Sequence, residues 1–288
     1  MKINIKPTFT TLIFSFFCCV SYGQKHLEKT IVIGTDTLSY FDTGKNKTTL
    51  LFIHGSFINK DYWKNQISFF SKKYRVIAID LAGHGNSTHN TKDWSVQKFG
   101  NDITQIIHKL SLKKVIIVGH SVGADIMLET ANQKNNAIIG IIGIDYFKNV
   151  GVGLPKNVIE QVVSSLKTDF TGTNEQYVKQ ALINKNTKSE ISDKILRDFK
   201  TMDKNIGIAM NENFLTYTNR ETELLKKLPL KLFLINVNYV PTNADNLKEA
   251  TNNNFELRIL NGNCHYPMIE IPETFNSELD KVITKIKK

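Results

Sequence analysis

Val115-Ile116-Ile117-Val118-Gly119-His120-Ser121-Val122-Gly123-Ala124 is the stretch on which the reading of this chain turns. Four branched apolar residues in a row describe a strand buried on both faces. A helical pattern runs from Ala124 towards Thr130. Between them, Gly119-His120-Ser121-Val122-Gly123 fits G-x-S-x-G, with no residues to spare for a loop. Alone the pattern is cheap, with about 0.1 chance matches expected in a chain this long at ordinary Gly and Ser usage. Its setting gives it weight. A strand that turns straight into a helix needs glycine on both sides for close backbone approach, and it holds the serine in a strained, exposed conformation. The helix N-terminus then presents N–H groups beside the Ser121 hydroxyl, where an oxyanion would develop.

Working outward, other Ile/Val-rich runs read as strands: Leu50–Ile53, Arg75–Ile79, Ile138–Ile144 and Leu230–Val237, with Phe255–Leu260 as the last. Phe99, Ile103, Ile106 and Leu110 form one stripe of an amphipathic helix, and a final helix opens at Pro272 and carries Phe275, Leu279, Val282 and Ile286 on one face. Strands alternating with helices predict an α/β class, a mostly parallel, doubly wound sheet covered on both faces. The alternation stops between Phe147 and Pro229. There the patterns are helical (Val158–Leu166, Glu175–Leu182, Ile191–Met202, Asn211–Leu225), which predicts a helical cap inserted before the last strands.

The loops at the strand ends carry the chemistry. His54-Gly55-Ser56-Phe57 follows Leu50–Ile53 directly, so a backbone N–H there can reach the space above the serine. Ser56 and Val122 are the expected oxyanion-hole donors, with Phe57 as the fallback for Ser56. Asp80-Leu81-Ala82-Gly83-His84-Gly85-Asn86-Ser87 reads as a structural loop, with His84 given little catalytic weight. His265, in Asn263-Cys264-His265-Tyr266-Pro267, lies between the last strand and the final helix, where a general base must sit to reach the elbow.

Taken together, HG-S-F, D-L-A-G-H-G-N-S, G-H-S-V-G and the late H-Y-P before P-E-T-F resemble the α/β-hydrolase superfamily over about residues 30–286, most closely its capped serine esterase and lipase-like branches. The resemblance implies an α/β-hydrolase fold with core segments 24–147 and 229–288 and a cap at 148–228. It also implies a Ser–Asp–His order of catalytic residues and a serine hydrolase that acts on a small-molecule ester. Ser121 stands where haloalkane dehalogenases and epoxide hydrolases carry Asp, which argues against both. The family's acid usually follows the strand after the cap, yet that segment reads Asn236-Val237-Asn238-Tyr239-Val240-Pro241, with no carboxylate. Some members take it from the strand before the cap. Here that strand ends in Asp145, a lone acid closing an Ile-rich run and in need of a partner. Asp145 is therefore the expected third member. Support of His265 by the Asn238 amide, with Asp145 only capping its turn, is the alternative.

Other residues read plainly. Asp125 in the first helical turn suits the helix dipole. Cys264 is expected to be a small packed residue, His26, His89 and His108 surface residues, and His54 and His120 neighbours of the site. No H-E-x-x-H, C-x-x-C or G-x-x-x-x-G-K occurs, so neither metal nor cofactor is implied. C–C bond hydrolysis, aminopeptidase action, perhydrolysis and acyl transfer to an alcohol would use the same residues, and a non-catalytic binding protein on the same fold is the reading from another class.

The 288 residues include 37 basic and 27 acidic side chains, a formal charge of +10. Only four of the basic residues are Arg, so the surplus reads as a solvated lysine surface and not as a nucleic-acid footprint. Lys2 and Lys6, the apolar run Phe9–Val20 and Ser21-Tyr22-Gly23 have the layout of a secretory signal peptide over residues 1–23, cut after Gly23. The expected destination is the periplasm or the exterior, with no stable membrane span after cleavage. A lipid anchor through Cys18 or Cys19 is disfavoured, because neither follows the small residue such processing prefers. Cleavage would remove two lysines and no acid, lowering the formal charge to +8, and would leave Cys264 as the one cysteine.

Overall fold

A computed structural model describes residues 28–44 and 46–288, so the expected signal peptide lies outside the described residues. The strands are β1 (Glu28–Ile33), β2 (Asp36–Asp42), β3 (Thr49–Ile53), β4 (Arg75–Ile79), β5 (Val115–His120), β6 (Ile138–Ile144), β7 (Leu232–Val237) and β8 (Phe255–Leu260). They form one sheet in the order β1-β2-β4-β3-β5-β6-β7-β8, parallel from β4 to β8, with β1 and β2 antiparallel at one edge. This is the α/β-hydrolase fold. Every residue of β3, β5 and β7 is buried, as continuous apolar runs require. Each fully buried Ile, Leu or Val contributes about 1.5–3 kcal/mol, so these central strands hold the core together.

The helices are α1 (Lys64–Phe70), α2 (Val96–Lys109), α3 (Val122–Asn132), α4 (Lys156–Thr168), α5 (Phe170–Tyr177), α6 (Ser189–Thr201), α7 (Lys204–Phe214), α8 (Thr218–Lys227), α9 (Ala244–Ala250), α10 (Pro267–Glu270) and α11 (Pro272–Ile286). In α2, Ser95 caps the N-terminus by accepting from the Lys98 N–H, and Phe99, Ile103 and Ile106 are buried. Helices α2 and α3 pack on each other, as do α1 and α11, and helices cover both sides of the sheet. Helices α4 to α8 all fall between β6 and β7. None of the helices among the described residues is long and apolar enough to cross a membrane.

One expectation needs correction, and one pair of strands was not anticipated. The single helical pattern over Asn211–Leu225 is two helices, interrupted at Leu215–Tyr217. Its halves serve different partners: α7 packs on α4, while α8 packs on α3 and the Tyr217 hydroxyl donates to Glu129 at 2.8 Å. The β1–β2 hairpin gives no apolar run, because β2 buries polar groups. Asp36 is held by Lys98 at 3.1 Å, and Asp42 by Arg75 at 2.9 Å. A buried polar residue with a distant partner is invisible to hydrophobic patterning.

The chain leaves β3 towards β4 on one side and returns to β5 on the other. The crevice at the carboxyl ends of β3 and β5 is thus the topological switch point, where open α/β sheets bind ligands.

Candidate active site

Ser121 sits between β5 and α3 with φ 55° and ψ −133°, a left-handed backbone for a residue with a side chain. The flanking glycines explain how the turn closes. A Cβ at Gly119 would stand 2.3 Å from the Gly123 carbonyl oxygen, and one at Gly123 would stand 2.6 Å from that of His54. Neither contact is tolerable. Val122 is the first residue of α3, so its N–H has no partner within the helix.

His265 is positioned from three sides. Its Nδ1–H donates to Asp145 Oδ2 at 2.7 Å, which leaves Nε2 as the basic nitrogen. Its backbone N–H donates to the Leu182 carbonyl at 2.8 Å, and its own carbonyl accepts from His120 Nε2 at 2.8 Å. Burial holds the His120 imidazole well below its ordinary pKa, so this donor is a neutral ring. Cys264 pairs with Ile183 as an isolated antiparallel bridge, and Thr187 donates to the Asn263 carbonyl at 2.9 Å. The segment after α5 therefore clamps the loop that carries His265. Nothing in the sequence pattern pointed to that contact.

Asp145 directly follows β6, with φ 49°, and is 1% exposed. Oδ1 accepts from the Val237 N–H at 2.7 Å and from Lys148 Nζ at 2.8 Å, while Oδ2 faces His265. Both oxygens are engaged, so the carboxylate is fixed in direction as well as in place. Lys148 also donates to the Val237 and Val240 carbonyls. Burial lowers its pKa and the Asp145 charge opposes that. Sequence reading missed Lys148, although its position three residues after the acid was the available signal. Asn238 is engaged elsewhere: Nδ2 donates to Asn261 Oδ1 at 2.8 Å and Oδ1 accepts from the Gly262 N–H at 3.2 Å. The structure brings Asp145, and not Asn238, to the imidazole.

Ser56, Phe57, Ser121, Val122 and His265 all line one cavity of about 600 Å³. The Phe57 N–H is committed to His84 Nε2 at 3.2 Å, which leaves the Ser56 N–H as the candidate donor from this loop. His84 thus shapes the loop after β3. Burial pushes its pKa down to about 3, and that of His54 down to about 4, so both rings are neutral supports. Asp80 holds the same region by accepting from the Lys60 and Asn86 backbone N–H groups at 2.8 and 2.9 Å. Cys264 is fully buried, and burial beside Glu270 pushes its thiol pKa up, consistent with a packed residue.

Asp125 departs from its expected role. It is 2% exposed, accepts from the Tyr146 hydroxyl at 2.7 Å, and its Oδ1 has no hydrogen-bond partner. Burial and the adjacent Glu221 carboxyl raise its pKa well above the ordinary range, so its ionisation is disfavoured and it is not a plain charge at a helix end.

The family model for the alpha/beta hydrolase fold matches residues 48–190. An (E)-2-((N-methylformamido)methylene)succinate hydrolase of Acinetobacter baylyi is 37% identical over 99 residues, 34% of this chain and 37% of that protein. A bifunctional esterase/perhydrolase of Acinetobacter calcoaceticus is 27% identical over 137 residues, 44% of this chain and 50% of that protein. The matched regions span between a quarter and a half of the length of such curated relatives. Among solved structures, a thermophilic esterase from Thermogutta terrifontis superimposes with a TM-score of 0.77 at 18% identity, covering 91% of this chain and 100% of that one. With the sheet order, the elbow and these matches in agreement, the chain belongs to the α/β-hydrolase superfamily.

Proposed function

We propose that this protein is a serine hydrolase that cleaves an ester of a small molecule through an acyl-enzyme on Ser121. The observation that carries the reading is the 2.7 Å bond from His265 Nδ1 to Asp145, which leaves the other imidazole nitrogen free on a ring that lines the same cavity as Ser121. His265 Nε2 takes the Ser121 proton as Oγ attacks the ester carbonyl. The Ser56 and Val122 N–H groups hold the oxyanion. His265 then protonates the departing alcohol, and water repeats the sequence to free the acid and return the proton to Ser121. Asp145 keeps the imidazole in the correct tautomer and balances the imidazolium, and Lys148 and the Val237 N–H keep Asp145 aimed. Helices α4 to α7 act as the cap that encloses the acyl group. Residues 1–23 direct export and are removed after Gly23. An exported protein whose intact mass retains them would overturn that part.

A fluorophosphonate reagent tests the core of the reading. Labelling is expected at Ser121, with turnover of p-nitrophenyl acetate that vanishes with the label. No labelling of folded protein would remove the serine from the mechanism. Likeness to the esterase/perhydrolase favours one second reading, peracid formation from the same acyl-enzyme, in which hydrogen peroxide takes the place of water. Peracid release in the presence of peroxide and acetate distinguishes it.

A further inference from the structure

The turn after β6 is built to bring a cation back onto the acid. Asp145 and Phe147 both take left-handed backbone, with φ 49° and 53°, a conformation that costs a residue with a side chain. The chain doubles back there, and Lys148 Nζ comes to lie 2.8 Å from Asp145 Oδ1. The Lys148 carbonyl accepts from the Asn243 N–H at 2.7 Å, which pins the turn to the loop after β7. Nζ also donates to the Val237 and Val240 carbonyls, at 2.9 and 3.2 Å, and stands 4.1 Å from the centre of the Tyr239 ring. An ammonium has three N–H donors, and each finds an acceptor here. The surroundings suit the charged form.

One carboxylate thus serves two cations: Lys148 at Oδ1 and, once the base has taken a proton, His265 at Oδ2, 2.7 Å away. The His120 ring, 4.5 Å from that of His265, is kept neutral by burial. Burial also raises the pKa of Tyr239, Tyr266, Tyr177 and Cys264, which keeps these groups neutral. Glu270 faces the same loop and accepts from the Asn263 and Cys264 N–H groups at 2.9 and 3.2 Å. With Lys148 in place, part of the Asp145 charge is already balanced, so a proton on His265 gains less from it. At the range of two short contacts in a partly buried site, that opposition is worth about one pH unit.

On the serine-hydrolase reading above, we propose that Lys148 is a positioning residue whose charge, acting through Asp145, keeps His265 free to act as a base at lower pH than Asp145 alone would allow. The turn at the start of the insertion thereby extends hydrolysis towards the acid side. A lysine that only fastened the loop after β7 would leave that range unchanged.

The acid limb of kcat/KM for p-nitrophenyl acetate, measured from about pH 4 to pH 9, tests this, because it reports the base of the free enzyme. Lys148→Met should move the limb up by about one pH unit. Lys148→Gln, which retains a donor for the loop carbonyls, should move it equally, and it decides alone if Lys148→Met does not fold. Lys148→Arg keeps the charge and should return the limb to within about 0.3 units of the parent, even where its broader head lowers the plateau. Thermal midpoint and fluorophosphonate labelling of Ser121 establish that each variant is folded with its nucleophile intact. A plateau that falls while the acid limb stays in place, or an Arg variant shifted as far as Met, would overturn this inference while the serine-hydrolase reading stood. Absent labelling of the folded parent would overturn both.

Discussion

The carboxyl edge of the sheet and the helices between β6 and β7 meet at one cavity, yet they are built on different principles. At the sheet edge almost nothing is free to vary. Strands β3 and β5 are buried on both faces, and a methyl group added at Gly119 or Gly123 meets backbone oxygen. In the insertion each helix buries a narrow stripe. Helix α4 buries only Leu166, α5 buries Phe170 and Asn174, and Val152, Leu154 and Tyr177 are 57%, 49% and 52% exposed. The contrast teaches where each kind of information lies. The reaction is written in positions that allow one residue, and the choice of substrate in positions that allow many.

The sharpest way to break that comparison is at the serine. Ser121→Ala should leave a folded protein with ester hydrolysis lowered by several orders of magnitude, because oxyanion donors and binding survive while the nucleophile is lost. Activity within tenfold of the parent would put the chemistry elsewhere.

Next in size is the acid. Asp145→Asn should lower kcat by about 10³–10⁴, since an amide at that place would favour the wrong imidazole tautomer. Asn238→Ala should cost about tenfold at most, its side chain being bonded to Asn261 and Gly262. Both variants need a measured fold, because an amide facing Lys148 and the Val237 N–H leaves a half-buried cation less well paired. The reverse ranking would return the third role to the strand after the insertion.

These residues also mark how much could be read in advance. Ser121 and His265 were legible because each sits at a strand end beside motif residues that admit few alternatives. Asp145 was legible only as an unexplained charge at the end of an apolar strand, and its assignment needed the 2.7 Å contact. Lys148 was legible only as a cation three residues after the acid, while the Leu182 carbonyl and the clamp through Ile183 and Thr187 were not legible. They act across distances in sequence that no local pattern encodes, and one of them is a backbone group common to every residue. Strand β2 was hidden for a related reason, as Asp36 and Asp42 are buried only because Lys98 and Arg75 reach them.

The insertion should respond more gently and in a different parameter. Phe199, 3% exposed, packs edge-on against Phe57 at 5.2 Å and lines the cavity. Phe199→Ala should widen the acyl pocket and shift the preferred chain length of p-nitrophenyl esters, changing the long-to-short ratio of kcat/KM by about tenfold. Fluorophosphonate labelling should persist. A uniform loss across all chain lengths would mean that the helices support the reaction and do not select for it.

The smallest expected effect joins the two regions through a buried pair of acids. Asp125 lies on α3 behind the elbow and Glu221 on α8 of the insertion, 2% and 9% exposed. Tyr146 donates to Asp125, while the neighbouring Glu129 is satisfied by Tyr217 and Arg220, which leaves no cation facing the pair directly. Burial pushes the Glu221 carboxyl up to about 7 from an ordinary 4.5, and Asp125 is raised as well. Between those two pH values the folded chain keeps a proton on Glu221 that the unfolded chain releases. Stability from this group is therefore full below about pH 4.5 and is lost as pH rises through 7. Glu221→Gln keeps a hydrogen-bonding group of the same shape and removes the titration. At pH 8 the variant should be more stable than the parent by about 1–3 kcal/mol, a rise in midpoint of roughly 3–8 °C for a chain of this size. At pH 4 the two should agree closely. Melting curves that stay parallel from pH 4 to pH 8 would show that the contact between α3 and α8 does not hold its proton.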